Sequence, residues 1–353
     1  MPHKFIIRSY NQLRNNFSHH KMIVSKMYLV LILMVFQFAT KEVYAVLRGN
    51  MLFVFGDAYV DTGNTKNSSF GYRNPYGITF PGQPSGRMSD GKVWSDFIAS
   101  HLKLPPPVPY EKRNNGGNLK TGMNFAYAGT GVFQTKAPYP SMTGQINNFQ
   151  KMVRTGVYKT ARLRSAVALI AVSGDDLDQF KATQNGQISL QEWNSFQKKT
   201  VDQITANINR IYNLGVRSIV VDSLQPLGCL PYISVGDSYK SCNTDGNKLA
   251  TNQNLLLKNA LTTLASQKRQ AKIYYIDFFS SWNNILNTPT YGLTPCCVGT
   301  TGNAGCGSVS ATKQKLYTQC DSPSKTFFWD KFHPTQQGWK QVYLRTKNTF
   351  NPL

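Results

Sequence analysis

The chain has 353 residues, of which 41% are hydrophobic and 16% charged, a composition ordinary for a globular protein with a sizeable core. Its net charge of +22 favours non-specific attraction to polyanions. The basic residues are scattered, however, and no nucleic-acid-binding motif accompanies them. We therefore expect no specific nucleic acid partner.

The first 45 residues are predicted to be a secretory signal peptide. A basic region without acids precedes the apolar run Met27–Ala39, and small residues follow. The run is shorter than the roughly 20 residues that span a bilayer, so we favour cleavage after Ala45 over an uncleaved signal-anchor. Met22 and Met27 remain open as start residues. Six basic residues and one acidic residue lie in this segment, so residues 46–353 carry +17. They hold no further spanning run, and we expect a secreted protein, extracellular or in the cell wall.

Cysteines and one sequon fit an exported chain. An even number of cysteines predicts three disulfides. The six are Cys229, Cys242, Cys296, Cys297, Cys306 and Cys320. The two adjacent ones are expected to pair with different partners, and the pairing is otherwise open. Zinc is the competing interpretation, although no C-x2-C is present. Asn67, in "NSS", is the predicted glycosylation site.

Four apolar runs predict buried parallel strands, and helical patterns lie between them. The strands are "MLFVF", "SAVALIAVSG", "VRSIVVDSL" and "AKIYYIDFF", each continuous rather than alternating. The helices are "KVWSDFIASHLKL", with His101 on or beside it, a long one capped by Gly215, and "NKLATNQNLLLKNALTTLASQ". This alternation predicts one three-layer α/β/α domain with a mostly parallel sheet over residues 46–353.

Sites in doubly wound sheets form beyond the carboxyl ends of the strands. Here the first strand runs into "GDAYVDTGN", whose turn carries Ala58, and the second into "SGDD". Before the last helix, "FFWDKFHPT" holds Asp330 and His333. Asp-x-x-His can place a carboxylate beside an imidazole nitrogen and so stabilise the imidazolium that forms when the ring takes a proton. Alone the motif is weak, since a surface Asp and a helix-start His before Pro334 would look the same.

As a set, these motifs resemble the plant GDSL esterase/lipase family of the SGNH hydrolases. The resemblance runs from about Leu52 to the C-terminus and includes "FVFGDAYVDTGN", "NFAYAGTGV", "SGDD", "QPLGCLP", "PCCVG" with "GCG", and "FFWDKFHPT". It implies a secreted carboxylic-ester hydrolase with a flavodoxin-like sheet that works without a metal or other cofactor. The implied substrates are esters of lipid or of acylated cell-wall carbohydrate.

The resemblance also implies a role for each site residue. The family's nucleophilic serine falls at Ala58. His333 would be the base that activates it, and Asp330 would orient the ring. The donors to the tetrahedral intermediate would be the backbone N–H at position 58, the backbone N–H of Gly129, and a side-chain amide at the position of Asp175.

Two of these positions depart from the family pattern. Loss of the serine from a comparable triad costs on the order of 10⁶ in turnover. An ionised Asp175 accepts hydrogen bonds and would repel an oxyanion, where loss of one donor already costs about 10² to 10³. A protonated Asp175 could donate, but only with a strongly raised pKa. The resemblance gives no catalytic role to the nearby hydroxyls, which belong to Tyr59, Ser173, Ser85 and Ser89. Asp57 is expected to bond turn amides.

We therefore expect a monomeric member of an ester-hydrolase family whose own catalysis is impaired or lost. The alternative is a non-catalytic binding protein that recognises acyl esters or acidic glycans. A sequencing error, an allele or an engineered inactivation would also place alanine at position 58, although engineering rarely changes the Asn position as well. An RNA-binding or structural role based on charge alone has the least support.

Overall fold

The computed structural model describes residues 26–35, 37, 50–184, 187–302 and 304–353. The chain divides into two units, Met1–Arg48 and Gly49–Leu353. In the first unit, residues 26–35 and 37 are helical, and the apolar side chains from Met27 to Val35 are exposed. None of the helices described in either unit is both long enough and apolar enough to cross a membrane. The predicted cleavage after Ala45, and most of the predicted signal peptide, lie outside the described residues.

A six-stranded parallel sheet runs through the second unit in the order β2-β3-β1-β4-β5-β6. Its strands are β1 (Met51–Gly56), β2 (Val108–Pro109), β3 (Gly122–Asn124), β4 (Ala166–Ala171), β5 (Ser218–Asp222) and β6 (Lys272–Ile276). The four apolar runs form β1, β4, β5 and β6, as predicted. The other two strands are short and contain no apolar run that would predict them.

Strand β6 differs from the prediction of a buried strand. β1 and β4 are buried along their whole length, whereas Lys272 is exposed and Ile273, Tyr274 and Tyr275 are only partly buried. The prediction is wrong here because β6 lies at the edge of the sheet. Tyrosine is well suited to an edge strand, because its ring packs against apolar groups while its hydroxyl reaches water.

Helices lie in the connections between the strands of the sheet, and the last two helices follow its last strand. In chain order they are α1 (Trp94–His101), α2 (Met142–Arg154), α3 (Thr160–Leu163), α4 (Asp175–Thr183), α5 (Leu190–Leu214), α6 (Pro231–Ser234), α7 (Thr244–Gln267), α8 (Phe278–Leu286) and α9 (Gln336–Thr346). Helix α5 begins with a capping box, in which the Ser189 hydroxyl accepts from the Glu192 N–H and the Glu192 carboxylate accepts from the Ser189 N–H. It ends before Gly215, whose φ of +123° suits glycine.

The two faces of the sheet carry separate hydrophobic cores. On β1, Leu52 and Val54 belong to a core that contains Trp94, Trp282 and Trp339 from α1, α8 and α9. Phe53 and Phe55 point the other way, into a core built with residues of α2, α5 and α7. This alternation along one strand, with helices on both faces, confirms the three-layer α/β/α architecture.

Three disulfides join all six cysteines. Cys229 pairs with Cys242, Cys296 with Cys320, and Cys297 with Cys306, so the two adjacent cysteines do take different partners. The last two disulfides lie at the antiparallel pair β7 (Cys297–Gly299) and β8 (Tyr317–Gln319), in the long segment before α9. Asn67 is exposed in the loop between β1 and α1, and its glycosylation stays a prediction.

Candidate active site

The turn after β1 is fixed from two sides. Gly56 has φ +140°, and a Cβ there would lie 2.1 Å from the carbonyl oxygen of Ala171 on β4, so the close approach of the two strands requires glycine. The side chain of Gln145 on α2 accepts from the Gly56 N–H at 2.8 Å and donates to the Gly56 carbonyl at 2.9 Å. Ala58, two residues later, is therefore held at the carboxyl end of the sheet.

Asp57 ties this turn to the one after β4. Its Oδ1 accepts from the backbone N–H of Tyr59 at 3.1 Å, and its Oδ2 accepts from the backbone N–H of Ser173 at 2.6 Å. Burial raises the pKa of Asp57 to about 6, although these backbone hydrogen bonds act to lower it. The expectation that Asp57 bonds turn amides is confirmed.

Asp330 and His333 form a buried pair. The ring Nδ1 of His333 lies 2.8 and 2.9 Å from the two carboxylate oxygens of Asp330. The backbone N–H groups of Phe332 and His333 donate to Oδ1, and the Tyr76 hydroxyl donates to Oδ2 at 2.7 Å. Burial acts to raise the pKa of Asp330, but the charge and hydrogen bond of His333 and these further donors bring that pKa below its usual value. An Nδ1 that donates to the carboxylate leaves Nε2 as the free ring nitrogen.

A cavity of about 890 Å³ lies in front of His333. Ala58, Gly129, Asp175 and His333 all line it, so the residues predicted from the sequence come together, with Asp330 behind the imidazole. Its lining contains many apolar side chains, here called the apolar wall, which include Leu177, Ile188, Trp193, Leu227, Leu230, Ile233 and Leu249. This size and lining are typical of a site for a ligand with an apolar portion.

Two backbone donors at the cavity are free to bind a ligand. The N–H groups of Ala58 and Gly129 have no acceptor within the described part of the chain. Gly129 adopts φ +79°, a conformation that favours glycine. The arrangement could hold an oxyanion or a carbonyl oxygen.

Asp175 is the first residue of α4, and its carboxyl group has no hydrogen-bond partner among the residues that the structure describes. Burial, followed by the nearby charges of Asp57, Asp176 and Asp178, raises its pKa well above the usual value. Asp176 has a different role, since its carboxylate accepts from the backbone N–H groups of Val132 at 2.7 Å and Phe133 at 2.9 Å. Asp176 thus holds the segment that follows Gly129.

None of the nearby hydroxyls stands in an obvious replacement position. The Tyr59 hydroxyl donates to the Phe332 carbonyl at 3.0 Å. Ser85 accepts from the Arg87 guanidinium, and the Ser89 hydroxyl donates to the Pro334 carbonyl; neither serine lines the cavity. Ser173 does line it, but its side chain is hydrogen-bonded to the carboxyl group of Asp57. Within the described residues, no group of three or more His, Cys, Asp or Glu side chains is arranged to hold a metal ion.

Comparison with known proteins identifies the family. Residues 52–345 match the family described as GDSL-like lipase/acylhydrolase. The chain belongs to the GDSL lipase/acylhydrolase family. Two GDSL esterase/lipases of Arabidopsis thaliana are each 42% identical to it, over 309 and 311 residues, which cover 84% of this chain and 85% and 87% of theirs. The GDSL esterase/lipase ENOD8 of Medicago truncatula is 30% identical over 361 residues, 92% of each chain.

A solved structure concerning a carbohydrate esterase, described as having divergent catalytic and non-catalytic binding functions at its active site, matches with a TM-score of 0.39 and 11% identity. The match covers 86% of this chain and 67% of that one. At that level the likeness carries no argument.

The fold of this chain thus brings His333 and its partner Asp330 to the same cavity as the backbone N–H groups of Ala58 and Gly129. The side chain at the turn after β1 is the methyl group of Ala58. Two contributors to the site could not be found from the sequence. Tyr76 lies 254 positions from Asp330, and Gln145 lies 89 positions from Gly56. Neither belongs to a motif, so no local signal marks them.

Proposed function

We propose that this protein binds acyl esters, of lipid or of acylated cell-wall carbohydrate, and hydrolyses them slowly or not at all. The observation that carries the proposal is that Ala58, at the position that we assign to the family's nucleophilic serine, lines a large cavity together with His333. We further propose that the protein is exported, because its six cysteines form three disulfides.

The chemical argument for impaired turnover starts at Ala58. A methyl group cannot attack a carbonyl, so covalent catalysis through this position is lost. The remaining route is attack by water activated by His333, in a site built to position a serine. Loss of the nucleophile from a comparable triad lowers turnover on the order of 10⁶-fold, because its members act as a unit. An ionised Asp175 would weaken binding of an oxyanion further.

The argument for retained binding rests on the groups that do not depend on the serine. The apolar wall can hold an acyl chain, and burial of each methylene contributes about 0.8 kcal/mol. The free N–H groups of Ala58 and Gly129 can donate to the ester carbonyl. An acidic glycan fits the cavity less well, since three carboxyl groups line it, those of Asp175, Asp178 and Asp245, against one lysine.

The test measures hydrolysis and binding separately. Purified protein and a His333→Ala variant are given p-nitrophenyl butyrate, and the melting temperature is followed with methyl decanoate or with de-esterified pectin. We expect background hydrolysis by both proteins and a higher melting temperature with methyl decanoate. Hydrolysis well above background that disappears in His333→Ala would contradict the proposal. Stabilisation by pectin without stabilisation by the ester would favour the acidic-glycan alternative.

A further inference from the structure

With alanine at position 58, His333 lacks the hydroxyl partner that a serine there would supply. Nδ1 is engaged by Asp330, and Nε2 has no hydrogen-bond partner among the described residues. In a serine hydrolase the serine hydroxyl donates to this nitrogen. Ala58 has no hydroxyl, and that of Tyr59 is already donated to Phe332. A ligand with an O–H group could donate a hydrogen bond to Nε2 of His333 in place of the missing hydroxyl.

Two unpaired donors lie at the same cavity. The N–H groups of Ala58 and Gly129 need an acceptor, while a neutral His333 needs a donor at Nε2. An ester has only acceptor oxygens, so it satisfies the N–H groups and leaves Nε2 unpaired. A carboxylic acid has an acceptor oxygen and an O–H group on one carbon, and it satisfies both.

We infer that this cavity holds a free carboxylic acid with an apolar tail more tightly than it holds the corresponding ester. The inference rests on the proposed function, namely that the cavity binds acyl ligands. One ligand oxygen accepts from the N–H groups of Ala58 and Gly129. The other shares its proton with Nε2 of His333, either as O–H to neutral imidazole or, after proton transfer, as carboxylate to imidazolium. No covalent bond forms or breaks apart from this proton transfer.

The apolar tail of the acid can pack against apolar side chains that line the cavity. Leu177, Leu227, Leu230, Ile233 and Leu249 line the cavity, and the rings of Tyr232 and Phe332, at the same cavity, lie 4.9 Å apart. Acid and ester would bury the same tail there. The difference in affinity between them therefore reports on the polar end of the site.

Charge at the polar end makes binding depend on pH. Asp175 and His333 both line the cavity, the charge of buried Asp57 acts on Asp175, and ionised Asp175 would repel a bound carboxylate. The charges of Asp176 and Asp178 add to that of Asp57, and all three raise the pKa of Asp175, as burial does. A raised pKa means that Asp175 keeps its proton to a higher pH and can then donate to the ligand.

The remaining groups near the polar end do not reverse this dependence. Tyr59 is uncharged, since burial and the surrounding carboxyl groups raise its pKa. Asp330 is held by His333 on the far side of the ring. Lys181 also lines the cavity, and its charge acts to lower the pKa of Asp178. We therefore expect affinity for the acid to rise as the pH falls.

The experiment compares decanoic acid with methyl decanoate by isothermal titration calorimetry at pH 5 and pH 8, below the concentration at which either ligand aggregates. At pH 5 the acid is expected to bind about tenfold more tightly than the ester, because its carboxyl group can share a proton with His333 in a charge-assisted hydrogen bond that the neutral ester cannot form. At pH 8 the preference shrinks. The ester's affinity is expected to change less between the two values, because the ester carries no charge for Asp175 to repel.

Three variants separate the causes. Asp175→Asn removes the charge and should flatten the pH dependence, while Asp245→Asn, the same change at an exposed position of the same cavity, should leave it unchanged. Ala58→Ser supplies the missing hydroxyl to Nε2, so affinity for the acid should fall about tenfold.

Equal affinities for acid and ester at both pH values would overturn the inference, and so would an Ala58→Ser variant that binds the acid as tightly as the natural chain. In either case, binding of the ester would leave the proposed function standing. Failure of both ligands to bind would overturn the proposed function as well.

Discussion

The hydrogen bond from Tyr76 to Asp330 allows a sharp test of how the histidine pair is held. Tyr76 is 2% exposed and Asp330 5% exposed, and the bond between them measures 2.7 Å. Tyr76→Phe removes only the hydroxyl and leaves Oδ2 with His333 as its remaining side-chain partner. Because a buried hydrogen bond to a charged group contributes about 1.5–3 kcal/mol, we expect the free energy of unfolding to fall by that amount.

The effect on acid stability follows from the pKa of Asp330. That pKa is lowered in the folded protein, so the stability that Asp330 contributes is present above its unfolded value and is lost as the pH falls through the folded value. The Tyr76 hydroxyl is one of the groups that lower it. In Tyr76→Phe the acid-induced loss should therefore begin at a higher pH.

Tyr158→Phe is the matched control. Tyr158 is also buried, at 4% exposed, but its hydroxyl has no hydrogen-bond partner among the described residues. Its removal should be neutral or slightly stabilising, since a buried unpaired polar group is unfavourable. Urea denaturation of the oxidised proteins between pH 3 and pH 7 measures both variants. Equal losses for Tyr76→Phe and Tyr158→Phe, or no change in the acid limb for Tyr76→Phe, would refute the reasoning.

Two further predictions concern buried charge. Arg87→Leu strands Asp96, which is paired with Arg87 at 2.8 Å beneath the surface, and should lower the free energy of unfolding in urea by about 3–5 kcal/mol. Lys198→Ala breaks a surface-exposed pair with Asp202 and should change that free energy little, so similar values for the two variants would contradict the assignment. Burial raises the pKa values of Asp57 and Asp176 to about 6, above their unfolded values. The stability that depends on their protonation is therefore present at pH 4 and is lost as the pH rises through about 6, so the free energy of unfolding should fall over this range. A free energy of unfolding that rises from pH 4 to pH 7 would contradict this prediction.

Much of the fold can be predicted from the sequence because its strands are buried runs of apolar residues. β1, β4 and β5 show this pattern. The helices are marked in the sequence by apolar residues at helical spacing and by capping residues at their ends. β6 carries the same kind of run and yet is half-exposed. Whether such a strand lies in the middle of a sheet or at its edge depends on strand order, which a run of residues does not encode.

The site residues are likewise of two kinds: some are brought together by a local sequence motif, and others only by the fold. Asp330 and His333 are three positions apart, so a local motif brings the carboxylate to Nδ1. The hydroxyl of Tyr76 arrives from a distant loop, and nothing near Tyr76 in the sequence indicates it. The raised pKa of Asp175 is also absent from any local motif, because it comes from burial and from neighbours such as Asp57 that only folding brings close.

The most direct test of the account is the hydrolysis of p-nitrophenyl butyrate by an Ala58→Ser, Asp175→Asn double variant, compared with the natural chain and with the same double variant carrying His333→Ala. If the site is complete except at these two positions, the double variant should exceed the natural chain by at least about 10³-fold, since loss of a serine nucleophile alone lowers turnover on the order of 10⁶-fold. The added His333→Ala should abolish that gain. A double variant that stays as inactive as the natural chain, or a natural chain that already hydrolyses the ester well above background through His333, would contradict the account.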